Sequence, residues 1–540
     1  MGAGHHRFAS AYVCALWALI IAGAAPAGAL QTPGGSPTAI DIDTRIESPT
    51  ISMVVTNRGA FAYDMTNQAP GLEFPIGSGK GCMFAAGLWM GAKVAGEVRV
   101  TAGAYSQEYT PGPIDSDGNW PDPQDPEHRV YKIVKDDTTS SDYLNWPSEF
   151  GAPVDENGKP LLKGDETLWC VYNDADPSLH TALEGGTDPL GVEVQQTAFA
   201  FDQSGALGNV IFMEFKIINK LGNTLDSTYI AFWSDPDVGG AGDDLAGCDR
   251  ALGLGFAYNA TDSDPVYGAQ PPGVGFDFFK GPVGDRGWRQ PIAAFCKYAN
   301  AYDPTSAGAS YNYMRGLNLD GSAVTNPITG KTTRFAVSGD PVGGTGWLDS
   351  DPGDRRFILS AGPFTMEPGD TQEVTLGIVV GQGADRIASV QVMKDYDAIA
   401  QTEYGLFYGH PNIPPVDAPA GDGIITTLGS APGTHSAGTD MARADLAGEE
   451  GFAMTASPSP SASPVAIRCE VPAGRHVDLA VYSTSGRRVC TLARWASAGG
   501  PSEVIWDGRN GTGKPLPPGI YFICLHTGGE TVTRKVVLLH

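Results

Sequence analysis

The sequence is poor in histidine. Nine occur in 540 residues, and two of them, His5 and His6, lie at the extreme N-terminus. His128, His180, His410, His435, His476, His526 and His540 remain, and no two stand at metal-ligand spacing. HExxH is absent, which excludes the zinc-hydrolase helix. G-x-S-x-G is absent, which removes the usual nucleophile elbow. Cys-x-x-Cys is absent, which removes zinc ribbons and dithiol redox chemistry. Past Ala29 no apolar run is long enough to cross a bilayer. The one glycine-rich stretch that resembles a phosphate loop, "GSGKG" at Gly77–Gly81, has Phe74 in place of the first glycine and no Ser or Thr after Lys80. It reads as a turn.

Basic residues are also scarce. Lys and Arg number 35 against 61 Asp and Glu, for a net charge of -26. The segment from Val465 to His540 reverses that balance, with nine basic and five acidic residues, so the acid surplus lies upstream. Such a surface repels nucleic-acid phosphates and anionic lipid and favours cations.

What the chain has in abundance is glycine, 71 residues, and proline, 41, spread without a period. With a hydrophobic fraction of 41%, this suits many short strands joined by tight turns around real cores. The N-terminus reads as an export leader over residues 1–29. It has a weakly basic start, an apolar stretch from about Ala11 to Ala25, and Ala27-Gly28-Ala29 as a cleavage site. A short tail, 30–37, follows. Cleavage removes Cys14 and leaves Cys82, Cys170, Cys248, Cys296, Cys469, Cys490 and Cys524. Seven sparse cysteines do not make a disulfide scaffold. One or two disulfides and ordinary buried thiols both remain open.

Residues 38–415 are rich in strand signals. "TISMVVTN", "GCMFAAGLWMGAKVAGEVRVTAG", "ETLWCVYND" and "VEVQQTAFAFD" are bounded by Gly, Asn or Asp. In "NVIFMEFKIINK", Ile211, Met213, Phe215 and Ile217 alternate with Phe212, Glu214 and Lys216. "LGNTLDS" then reads as a turn and "TYIAFWSD" as the next strand, a hairpin-like succession. Antiparallel sheets packed as one or two sandwiches are expected. After strands near Arg356–Ser360 and Glu373–Val380 the period changes. Ile387, Val390, Met393, Ala400 and Phe407 recur at helical spacing, with Asp385 as N-cap. One late helix is expected, its apolar face used for packing.

Residues 416–464 hold "GDGIITTLGSAPGTHSAGTD" and "ASPSPSASP". This composition cannot bury enough surface to offset its ordering entropy, so a disordered linker is expected. Residues 465–540 return to strands. "DLAVYS" alternates, Trp506 ends a strand and is placed to fill a small core, and Pro517-Pro518-Gly519 turns the chain before "IYFICL". A domain this small has little core, so one large aromatic matters.

The order "VYSTSGRRVCTL…WDGRNGTGKPLPPGIYFICL…TRKVVLL" resembles the FlgD-type Ig-like domain, and overlaps in pattern with the C-terminal sorting domains of type IX secretion. The resemblance covers 465–540. It implies a β-sandwich of about seven strands used for export or attachment, with the secretion machinery or a cell-envelope component as partner. "SPSPSASP" stands where sorting domains carry a Pro-Asn-Pro-like signature. Residues 38–415 resemble uncharacterised exported bacterial ectodomains that carry the same module.

The recurring chemical feature is Asp-x-Asp: Asp115/Asp117, Asp174/Asp176, Asp235/Asp237, Asp262/Asp264 and Asp349/Asp351. The densest run, "SDPDVGGAGDDLAGCD", holds Asp235, Asp237, Asp243, Asp244 and Asp249. A glycine-rich loop lets these five carboxylates fold onto one point, and calcium takes six to eight oxygens. They are the expected metal ligands, with calcium as the cofactor. A solvated acidic loop is the plainer alternative. "DSDGN" at Asp115–Asn119 also has the form of the start of a calcium loop. Paired acids and tryptophans such as Trp89, Trp120, Trp146, Trp169, Trp233, Trp288 and Trp347 suit glycan binding or glycoside hydrolysis.

The reading is therefore mainly β: a large β-sandwich-type ectodomain with one late helix, a linker, and a small C-terminal Ig-like sandwich. The expected function is that of an exported, non-enzymatic structural or adhesion protein at the cell surface or outside the cell, with a glycan or protein ligand. A secreted glycan-binding protein or glycoside hydrolase with its site in 38–415 is the alternative. No residue of the sequence stands out as catalytic.

Overall fold

The computed structural model describes residues 44–105, 108–181 and 186–408, and in the C-terminal region 453–457, 464–472, 475–483, 488–497, 501–510, 514, 516, 519–527 and 530–538. The expected leader, the tail and most of the expected linker lie outside them. The chain is mainly β, as its glycine-punctuated strands imply.

Two large sheets carry the first region. One has ten strands, with Leu225–Asp235 at its centre between Ala85–Val94 and Arg355–Met366. The other has nine, with Val210–Asn219 between Val192–Ala200 and Thr371–Gly381. These pairings are all antiparallel. Ile211, Met213, Phe215 and Ile217 point into the space between the sheets and meet Phe232, Phe357 and Leu359. The rings of Phe215 and Phe232 lie 5.1 Å apart. Each such buried aromatic contributes about 1.5–3 kcal/mol of apolar transfer.

The hairpin expected across "LGNTLDS" does not form. Val210–Asn219 and Leu225–Asp235 belong to different sheets, so the turn is an arch from one layer to the other. Arg355–Met366 and Thr371–Gly381 make a second arch in the same way. The physical reason is that each strand finds other partners: Val210–Asn219 pairs with the strand before it and with Thr371–Gly381, and Leu225–Asp235 with Ala85–Val94 and Arg355–Met366. The two arches clasp each other. Buried Asn219 donates its side-chain amide to Asn223 O and Met366 O, and its backbone carbonyl accepts from Gly369 N at 2.8 Å.

Each sheet is also covered outside, which explains why strands such as "AAGLWMGAKV" read as nearly continuous apolar runs. The expected helix forms over Arg386–Tyr408. Asp385 accepts from Ile387 N and Ala388 N at its start. Val390, Met393 and Ala400 pack on Phe199 and Phe212 of the nine-stranded sheet. The side chain of Phe407 lies outside the described residues. A second helix, Ala307–Met314, was not legible; "AGASYNYM" has no clear apolar stripe. It covers Trp89 and Trp233 on the other sheet. Both helices approach at glycines. A Cβ on Gly381 would lie 2.2 Å from Met393 N, and one on Gly91 2.8 Å from the Tyr311 ring.

The C-terminal region has a three-stranded sheet, Ala453–Ser457, Val465–Glu470 and Pro501–Trp506, and a four-stranded sheet, Arg488–Ala496, His476–Ser483, Gly519–Thr527 and Glu530–Leu538. They share one core around Trp506, Val465, Leu479 and Ile523. The first strand falls inside the segment expected to be linker, so the linker boundary is corrected. Residues 453–457 pair with Val465–Glu470, and Met454 is buried. The Ser-Pro run that marked a linker lies between these two paired strands. Trp506 is 1% exposed, donates to Arg509 O at 3.1 Å, and meets Tyr521 edge-on at 5.6 Å.

Candidate functional site

The five Asp-x-Asp pairs diverge once folded. Asp115 accepts from Asp117 N and Asn119 N, which lowers its pKa and closes a turn on itself. Asp174 is buried under three backbone donors, Leu190 N, Gly191 N and Val192 N. Asp264 accepts from Gly240 N, Val266 N and Tyr267 N. Asp349 lies against Lys297 at 2.7 Å and Arg355 at 3.4 Å, and Arg355 also reaches Asp351. These carboxylates have donors or cations enough.

Asp235 and Asp237 differ. Asp235 closes the central strand Leu225–Asp235, where Phe84 N donates to its carbonyl. Pro236 then turns the chain and Asp237 follows beside it. The start of the neighbouring strand brings in Asp354. One carboxylate oxygen from each of Asp235, Asp237 and Asp354 lies within 4.8 Å of the other two. Arg356 pairs with Asp235 at 3.0 Å and with Asp354, and reaches Asp303 at 3.7 Å. The Tyr105 hydroxyl donates to Asp235. Burial pushes the Asp235 carboxyl well up, the charge of Asp237 adds to that, and Arg356 opposes it. Asp237 is raised by burial too, against Arg356.

Of the five acids singled out in the sequence, the fold thus brings Asp235 and Asp237 together. Asp244 stands behind them at the start of Asp244–Asp249. It is fully buried, and one of its oxygens accepts from Val238 N at 3.2 Å. Its pKa is pushed well above the usual range by burial, and Asp237 is one of the charges that raise it further. Asp243 and Asp249 have other partners. Asp243 accepts from Asn259 at 3.1 Å. Asp249 pairs with Lys394 of the helix at 2.9 Å. Asp354 was missed because it lies far along the chain. Its only signal was the acidic "DSDPGDRR" just ahead of a strand.

The groups that serve catalysis elsewhere are held structurally. His128 and His180 are buried, and ring nitrogens of the two lie 3.3 Å from Asp122 O and 2.8 Å from Asp174 O. Cys82, Cys170, Cys248 and Cys296 are buried thiols, pushed up by desolvation and not joined by disulfides. Trp89, Trp146, Trp169 and Trp233 are core residues, whereas Trp120 and Trp288 are about 40% exposed.

No protein-family model and no curated protein matches the chain. Among solved structures, it is similar over 16% of its length to PorZ, an essential surface component of the type IX secretion system of Porphyromonas gingivalis (19% identity, 11% of that chain, TM-score 0.13). A family GH92 inverting mannosidase from Bacteroides thetaiotaomicron aligns with 66% of this chain and 30% of its own (7% identity, TM-score 0.23). Latent PorU from Porphyromonas gingivalis aligns with 92% and 32% (10% identity, TM-score 0.16). The chain thus spans a third or less of each of these proteins. At such TM-scores none defines a shared fold or lends its activity. Among the described residues no helix is long and apolar enough to cross a membrane.

Proposed function

We propose that the chain is an exported protein of the cell surface or extracellular space, structural or adhesive rather than catalytic, with a C-terminal module for export or attachment. The observation that carries this reading is how its reactive groups are used. An activated nucleophile needs a base within hydrogen-bond reach. His128 and His180 instead have a ring nitrogen set against a backbone carbonyl. The thiols are buried in their neutral form, and the carboxylates beside Arg356 join strand ends. The leader-like N-terminus and the small C-terminal sandwich support the exported placement.

Fractionation of producing cells tests it. The full chain is expected in the surface or medium fraction, cut by protease added to intact cells. A chain lacking Val465–His540 is expected to be made but not delivered. Recovery of both chains in the cytoplasm would sink the reading. A hydrolase screen and a carbohydrate array on the purified chain address the role. Turnover of a polysaccharide would replace the structural reading with the hydrolase.

A further inference from the structure

We propose that Asp235, Asp237 and Asp354 hold a divalent cation, calcium by its chemistry, at the junction of two central strands. Three observations combine. The first is convergence, with three carboxylate oxygens no more than 4.8 Å apart. Oxygens on opposite sides of calcium, each about 2.3–2.6 Å from the ion, span about that distance. Magnesium, at about 2.0–2.1 Å, requires a tighter cage.

The second is a missing donor. Asp235 is 2% exposed, yet no N–H or O–H group donates to its Oδ1, and the side chain its carboxyl meets is another carboxyl, that of Asp237. The Oδ1 atoms of Asp237 and of fully buried Asp244 also lack a donor. A buried carboxylate oxygen without a donor is costly. The buried Asp174 and Asp264 meet that need with backbone amides and Asp349 with Lys297 and Arg355; these oxygens have no such donor.

The third is charge. Among the described residues Arg356 is the cation that pairs with this group. One guanidinium faces the three carboxyl groups and is shared with Asp303 as well, so the group is short of positive charge when ionised, and a divalent ion would supply it. The neighbouring Asp349/Asp351 pair shows the contrast, since Lys297 and Arg355 balance it. Asp354 and Asp237 are partly exposed, which leaves a side open for water or another oxygen ligand and a route of entry. Asp244 adds negative potential from behind. The ion would tie the end of Leu225–Asp235 to the start of Arg355–Met366.

Terbium luminescence and thermal melts of the full chain test this. Tyr105 touches Asp235 and lies 5.2 Å from Trp233, so terbium bound here is excited through these rings. Sensitised emission is expected, displaced by calcium at about 10⁻⁴–10⁻³ M, the range of extracellular modules. Calcium is expected to raise the melting temperature and EDTA to reverse the rise, with magnesium weaker. Asp237→Asn and Asp354→Asn, whose side chains are partly exposed, should each weaken binding about tenfold or more. Asp243→Asn should bind as the parent does. A parent chain with no more emission than Asp237→Asn and Asp354→Asn, or a melting temperature unmoved by calcium and EDTA, overturns the proposal. So does calcium stabilisation that survives in both variants, because the ion would then sit elsewhere.

Discussion

The side-chain carboxyls of Asp277 and Asp397 hydrogen-bond to each other, although neither residue has any exposure to solvent. One comes from the strand Gly273–Lys280 and the other from the helix Arg386–Tyr408. Two carboxylates cannot make that bond; one must keep its proton and donate. Gln401 donates to both, and the charge of Asp249, itself paired with Lys394, also bears on them. Burial pushes Asp277 up to about 8, and burial with the charge of Asp277 raises Asp397 well above the usual range.

A pH dependence follows. In the unfolded chain both groups titrate near 3.9. The folded protein keeps a proton that the unfolded chain releases, so this contribution is full below about pH 4 and declines as pH rises towards 8. Asp277→Asn preserves a donor without a proton to lose. Its melting temperature, compared with the parent's from pH 5 to pH 9.5, should gain ground as pH rises. Parallel curves would show that no proton is shared.

Trp506 anchors the small C-terminal core. Trp506→Ala removes a ring packed on Tyr521 and leaves a cavity, at a cost of about 3–5 kcal/mol. That is a large share of the stability of so small a module. The isolated region from Ala453 to His540 should lose its cooperative melt. An unchanged melt would refute the core role.

Gly381 sets how closely the long helix approaches the sheet. Gly381→Ala places a methyl 2.2 Å from the Met393 nitrogen, which no rotamer change relieves. Overpacking of this kind costs about 1–3 kcal/mol. Amide exchange along Arg386–Tyr408 should accelerate more than exchange in the ten-stranded sheet. Equal acceleration in both would count against a local docking role.

Asn219→Ala tests the clasp between arches. It leaves the carbonyls of Asn223 and Met366 without their donor, with a penalty of about 1–3 kcal/mol. Asn219→Asp keeps the shape but offers no N–H, and should be no better. A denaturant midpoint unchanged in both variants would show that the clasp carries no stability.

Most strands were legible because Gly, Asn and Asp bound them, and the late helix because Asp385 caps a clear apolar stripe. The arches were not, because a turn such as "LGNTLDS" looks the same whether its strands pair with each other or with distant ones. The helix Ala307–Met314 was hidden because small and polar residues leave no clear apolar stripe, although Tyr311 and Met314 fit against Gly91. At the acid centre, Asp235 and Asp237 announced themselves by spacing. Asp354 did not, since only strand pairing delivers it. Asp243 and Asp249 lay in the same acidic run but were claimed by Asn259 and Lys394.

The interleaving of early and late strands sets the order in which the chain can mature. Leu225–Asp235 is flanked by Ala85–Val94 and Arg355–Met366, and Val210–Asn219 awaits Thr371–Gly381. A chain delivered N-terminus first therefore lacks the inner partners of both sheets until residue 381 has emerged. Contacts so distant in sequence form slowly. Until then local pairs such as Ala85–Val94 with Glu97–Ala102 and Val192–Ala200 with Val210–Asn219 can form, while the far edges of Leu225–Asp235 and Val210–Asn219 stay open. Neither sheet can close before its latest strand arrives, so a chain cut short between residues 235 and 355 would present both open edges at once.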